Sequence, residues 1–170
     1  RTFNSIKFIQ SFISGLRYLV SQIMLINEYI SQNGKPDLVN VHICYKAGIG
    51  ALYCKWRYGI RYVVSEHWTI FCKGAHPGFS DQSFIARWFI RLIYRNATHC
   101  STVSEYLGRS ISEKFNIRAP VRIPNVVDTK LFRPITSERN IFRFIHISVL
   151  NYQKSPEEIF EAVKILKQNT

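Results

Sequence analysis

Glu66 and His67 stand side by side in the middle of the stretch YVVSEHWTIF (62–71). An imidazole titrates near neutrality, and a neighbouring carboxyl group can fix its tautomer or act as acid or base itself. The β-favouring residues before them predict a strand over Arg61–Ser65. The pair then falls at that strand's carboxyl end. Adjacent residues of an extended strand point to opposite faces. Both could meet one substrate only if the chain turned at Ser65–His67. The plainer alternative is a loop histidine hydrogen-bonded to backbone, and the residues alone leave both readings open.

Lys154 is the next candidate. It follows the β-type run FRFIHISVL (142–150) and precedes Ser155-Pro156-Glu157-Glu158, which has the form of a helix start. A lysine beside a helix N-terminus suits a phosphate, although Glu157 and Glu158 in the first turn oppose an anion. Arg87, Arg91 and Arg95 recur every fourth residue and form one basic stripe on a helix expected over Gln82–Arg95, flanked by Phe84, Trp88, Phe89 and Leu92. Such a stripe fits an anionic membrane or acceptor surface, or a solvated edge of a packed helix. Gly48 and Gly50 lack the third glycine of a dinucleotide fingerprint and are expected to serve close helix–sheet packing. Cys44, Cys54, Cys72 and Cys100 include no pair at the spacing of two to four residues that zinc sites use. Cys44 and Cys100 read as buried thiols in a reducing cytosol, with no metal.

These residues need a frame. Phe8, Phe12, Leu16, Leu19, Ile23, Ile26 and Ile30 recur at threes and fours, so residues 3–32 read as a helix stopped by Asn33-Gly34-Lys35-Pro36. Strands are expected at 37–43, 61–65, 97–103, 121–123 and 142–150. Helices are expected at 47–57, 82–95, 105–115 and from Ser155 towards Lys167. The alternation argues for a parallel sheet with helices on both faces and a ligand crevice at the carboxyl ends of the strands. Ser104 and Asn151–Lys154 lie at such ends, like Glu66-His67. The chain has 170 residues and a net charge of +12, which implies an anionic partner: nucleic acid, acidic lipid or a phosphorylated substrate. The longest apolar segments, Leu16–Ile30 and Phe84–Tyr94, are broken by polar residues and fall short of a membrane span. No signal peptide is visible, and the start at Arg1 without Met points to a piece of a longer protein.

Taken in order, KPDLVNVH, VVSEH, HCSTVSEYL, VRIPNVVDTKLFRP and FIHISVLNYQKSPEEIFEAVKIL resemble the middle of a retaining family 4 glycosyltransferase of the GT-B fold, over nearly all residues from Lys35 to Leu166. The resemblance implies a Rossmann-like α/β sheet and three regions. Residues 1–128 would be the C-terminal part of the N-terminal, acceptor-side domain, 129–141 a linker, and 142–170 the first strand and helix of the nucleotide-sugar-binding domain. His67 falls on the histidine near the acceptor side of the cleft, and Lys154 on the lysine that contacts the donor diphosphate. Asn125 and Asp128 fall on the turn into the linker, where they look structural. The sequence departs from the family pattern at Val149, where an arginine of the diphosphate clamp is usual, and at Val126, Ser148 and Ser155, where glycines are usual. Neither the family's glycine-rich first loop nor its Glu-x7-Glu motif occurs among these residues.

The resemblance further implies a hexosyltransferase-type enzyme of polysaccharide biosynthesis that uses a nucleotide-sugar donor and a glycan or lipid-linked acceptor. It implies no metal and no cofactor, because helix dipole and cations serve the diphosphate. The isolated chain is expected to be inactive. The expected location is cytoplasmic, peripheral on the inner face of a membrane. The alternative, from charge alone, is a basic α/β module that binds nucleic acid or a membrane surface without catalysis; the spread of the cations along the chain and the want of a recognised motif speak against nucleic acid.

Overall fold

The computed structural model of the chain describes residues 2–134, 143–150 and 154–168. The chain divides into two units, Arg1–Val126 and Val127–Thr170.

The first unit opens with α1 (Thr2–Asn33), which ends where Gly34 takes φ 82°. Next come β1 (Leu38–His42), α2 (Ala47–Tyr58), β2 (Arg61–Glu66), α3 (Phe84–Asn96), β3 (His99–Thr102), α4 (Glu105–Phe115) and β4 (Val121–Arg122). Local signals account for the helix ends. Ser83 and Ser104 accept hydrogen bonds from Ala86 N–H and Leu107 N–H, closing the first turns of α3 and α4. Gly59, at φ 73°, gives α2 the left-handed cap that a Cβ would disfavour. Two short 3-10 turns, Thr69–Phe71 and Phe79–Asp81, carry the chain from β2 to α3.

The four strands form one parallel sheet in the order β1-β2-β3-β4. Sequential order has a geometric result. Right-handed crossovers between neighbouring parallel strands all pass on the same side. The burial pattern agrees: Val41, Tyr62, Val64 and Thr102 face inward and are buried, together with Leu52 of α2, Ile90 and Ile93 of α3, and Leu107 and Ile111 of α4. Asn40, His42, Val63, Ser65, His99 and Ser101 alternate with the inward positions and lie on the other face. The expectation of helices on both faces is therefore corrected: among the described residues, packing covers one face.

Gly48 and Gly50 also correct an expectation. A Cβ on Gly48 would lie 2.7 Å from Ile93 Cδ1, and one on Gly50 would lie 2.8 Å from Gln22. The glycines let α2 approach α3 and α1 rather than the sheet. Asn27 Oδ1 ties α1 to α2 by accepting from the hydroxyls of Tyr53 (2.8 Å) and Tyr58 (2.7 Å).

In the second unit Asp128 Oδ1 accepts from Lys130 N–H (2.8 Å) and Leu131 N–H (3.3 Å), a turn held by a short side chain. The helix expected from Ser155 is α5 (Pro156–Gln168). Of the strand expected at 142–150, residue 142 lies outside the described residues, residues 143–150 form no strand, and Ile147 is 91% exposed. A strand exists through its ladder, and among the described residues the sheet ladder runs only through β1 to β4. The polar linker Thr136–Asn140 and residues Asn151–Gln153 lie outside the described residues.

Candidate functional site

β1 and β2 end at the same level, with His42 opposite Ser65 in register. Beyond β1 the chain turns sharply. Ile43 and Lys46 both take φ 63°, a left-handed value that is unusual for a β-branched residue. Beyond β2 it passes through His67 and Trp68 into the first 3-10 turn. One side chain joins the two turns. Glu66 is 1% exposed. Its Oε2 accepts from Cys44 N–H (3.1 Å) and from the Tyr94 hydroxyl (2.7 Å). Its Oε1 accepts from His67 N–H (3.0 Å) and Trp68 N–H (2.8 Å). Both oxygens are thus occupied by protein donors from β2's own exit, the β1 turn and α3.

Around this hub the ionisable neighbours are held neutral. Burial pushes the Cys44 thiol and the Tyr94 phenol well above their ordinary ranges, and the nearby Glu66 carboxyl group adds to both. Burial also raises Cys100, to about 12, again with Glu66 contributing. Cys44 is fully buried, as its run implies, whereas Cys100 is only half-buried.

His67 points the other way, as strand alternation requires, and is exposed. Its ring lies 5.5 Å from that of His42, nearly parallel at 19°. His67 Nε2 is 3.3 Å from His42 Nδ1. His42 Nε2 is 3.2 Å from Asn40 Nδ2, Ser65 Oγ donates to Asn40 Oδ1 (3.0 Å), and Ser101 Oγ donates to Ser65 Oγ (3.2 Å). Three strands therefore contribute one continuous polar row along the open face, ending at their carboxyl edge. A cavity of about 400 Å³ between α1, β1 and α2 adjoins this row. Leu25, Ile26, Tyr29 and Ile30 form its apolar wall, and Asn40 and His42 belong to its lining.

The structure separates the two residues that the sequence sets side by side. His67 belongs to the open row, and Glu66 is enclosed beneath it. Asn40, His42, Ser65 and Ser101 join His67 without having been singled out as site residues. Their signal was the alternation of polar with apolar positions in N-V-H, but only cross-strand register shows that it meets S-E-H. The arginines of α3 do not act alike. Arg87 Nη1 reaches Ser80 O at 3.5 Å, and its buried Nε has no hydrogen-bond partner among the described residues. Arg91 lies over the Phe79 ring at 5.5 Å. Arg95 is exposed in the last turn. Beside them Phe84 (72%) and Trp88 (49%) stand out from the surface. Lys154 belongs to the other unit, where it is exposed two positions before α5.

A family model described as Glycosyltransferase Family 4 matches residues 4–131. The match takes in Glu66, His67 and the arginines of α3, and it stops short of Lys154. No curated protein matches the chain. No helix among the described residues is long and apolar enough to cross a membrane.

Proposed function

The chain belongs to glycosyltransferase family 4, and from that premise we propose that it forms the acceptor side of an enzyme of polysaccharide biosynthesis. The reaction moves a hexose from a nucleotide-sugar donor to a glycan or lipid-linked acceptor with retention of configuration. The observation that carries this reading is the polar row ending in His42 and His67 at the carboxyl edge of a parallel sheet, where open α/β sheets bind ligands. In this reading His67 touches substrate. Glu66 supports it from below by fixing both turns. Lys154 would meet the donor diphosphate as a cation beside a helix N-terminus. A metal is not needed for that role, and no cofactor beyond the donor is invoked.

Two surfaces support a lipid-linked acceptor at an anionic membrane. The apolar cavity that reaches His42 suits the apolar part of such a molecule. The protruding Phe84 and Trp88, with Arg91 and Arg95 on the same helix, suit an interface with acidic lipid. Transfer assays on the enzyme that contains this chain test the reading. Labelled sugar should pass to a lipid-extractable or glycan acceptor, and His67→Ala should lower the rate. Full activity in that variant would remove His67 from the site. Co-sedimentation with vesicles tests the surface. Binding should require acidic lipid and weaken in Phe84→Ser/Trp88→Ser, and equal binding to neutral vesicles would count against it.

A further inference from the structure

We infer that Asn40 and His42 are positioning residues that hold His67 as its Nδ1–H tautomer, so that the nitrogen left for a ligand is a hydrogen-bond donor. Hydrogen bonds along the polar row run in one direction. Ser101 Oγ–H donates to Ser65 Oγ, and Ser65 Oγ–H donates to Asn40 Oδ1. In this arrangement the amide oxygen of Asn40 is the end facing Ser65. Its Nδ2, which carries donors only, is the end facing His42 Nε2 at 3.2 Å. His42 Nε2 must therefore accept. A neutral imidazole with an accepting Nε2 keeps its proton on Nδ1. His42 Nδ1–H faces His67 Nε2 at 3.3 Å, which must accept in turn and places the His67 proton on Nδ1.

An imidazole free in water prefers the Nε2–H form. The row thus selects, in two successive rings, the tautomer that solvent disfavours. Asn40 is the residue on which the direction depends: turned over, its amide would reverse every bond downstream. The consequence is chemical. From Nδ1, a neutral His67 offers N–H to an oxygen, such as a sugar hydroxyl or a phosphoryl oxygen, and does not abstract a proton there. It orients and stabilises rather than serving as a base. This consequence rests on the placement of His67 in the substrate site proposed above, whereas the tautomer itself does not.

The test reads the rings directly. In the 15N-labelled chain, long-range proton–nitrogen correlation at a pH where both imidazoles are neutral should show His42 and His67 mainly as Nδ1–H. Asn40→Asp presents only oxygen to His42 Nε2, so both rings should turn over. The Nδ1–H to Nε2–H ratio of His67 should then fall by about fivefold or more, the worth of one hydrogen bond. Asn40→Leu, which offers nothing, should return both rings towards the solvent preference. Asn40 is exposed, so the fold should persist, as the methyl shifts of Val41 and Val64 would show. A majority of Nε2–H in the unmodified chain, or a ratio unmoved by Asn40→Asp, overturns the inference. Inverted tautomers combined with full transfer in His67→Ala would uphold the relay and remove only His67's part in catalysis.

Discussion

Replacing Glu66 by Gln leaves one oxygen and one NH2 group where two oxygens now take four donors. At least one buried donor loses its acceptor, and the amide's own hydrogens face N–H groups. The expected cost is about 2 kcal/mol, or a fall of about 6 °C in melting temperature by calorimetry. A change below about 1 °C would mean that the hub is not holding the two turns. His67→Ala should do the reverse: an exposed ring contributes little packing, so stability should stay within about 0.5 kcal/mol. Transfer by the active enzyme should drop by about tenfold or more, the worth of one lost hydrogen bond in the transition state. The half-buried thiol of Cys100 carries a pH prediction. Its folded pKa, about 12, lies above the ordinary 9.0. The folded state therefore keeps the proton that the unfolded chain gives up. The stability from this group is complete below pH 9.0 and is lost as pH rises towards about 12, with a slope of about 1.4 kcal/mol per pH unit. Urea titrations across that range should show the fall, and Cys100→Ala should make it shallower.

Helix ends and turns act over a few residues, and their signals are correspondingly plain. Ser104 caps α4 and Gly59 closes α2 where their residue types say they should. Ser104→Ala should cost about 1 kcal/mol. Gly48→Ala belongs to the same scale with a different cause. Its methyl would sit 2.7 Å from Ile93, so overpacking of α2 on α3 should cost about 1–3 kcal/mol. Adding Ile93→Val should recover part of the loss, and strict additivity in that double-mutant cycle would rule out the contact as the cause. These examples also mark how far the chain could be read in advance. The strands β1 to β3 were legible because burial on a pleated sheet imposes period two. The failure at 143–150 has a physical reason: the same pattern specifies a strand only when a neighbour supplies hydrogen bonds. The enclosure of Glu66 was equally hidden, since it depends on Tyr94, 28 positions away on α3. Sequence placed His67 at the right edge but could not show the row that leads to it.

At the scale of the whole chain, the proposed contacts to a donor diphosphate among the described residues are the cation at Lys154 and one helix terminus. An exposed charged contact is worth about 1 kcal/mol, and a helix end adds a similar amount. That is far below the roughly 8 kcal/mol behind micromolar affinity. Calorimetric titration of the chain with uridine and guanosine diphosphate sugars should therefore show no saturable heat below millimolar concentration. A micromolar isotherm would mean that a complete donor site lies within these residues.

The alternation along the strands separates two kinds of freedom. Val41, Tyr62, Val64 and Glu66 cannot change without disturbing what the helices rest on. Asn40, His42, Ser65, His99 and Ser101 occupy the intervening positions and carry no such obligation. On the acceptor role proposed above, a lineage could therefore drift through new acceptors by changing every second residue, with the scaffold passing unaltered from ancestor to descendant. A library randomised at those positions alone should yield mostly folded members and a wide spread of recognition.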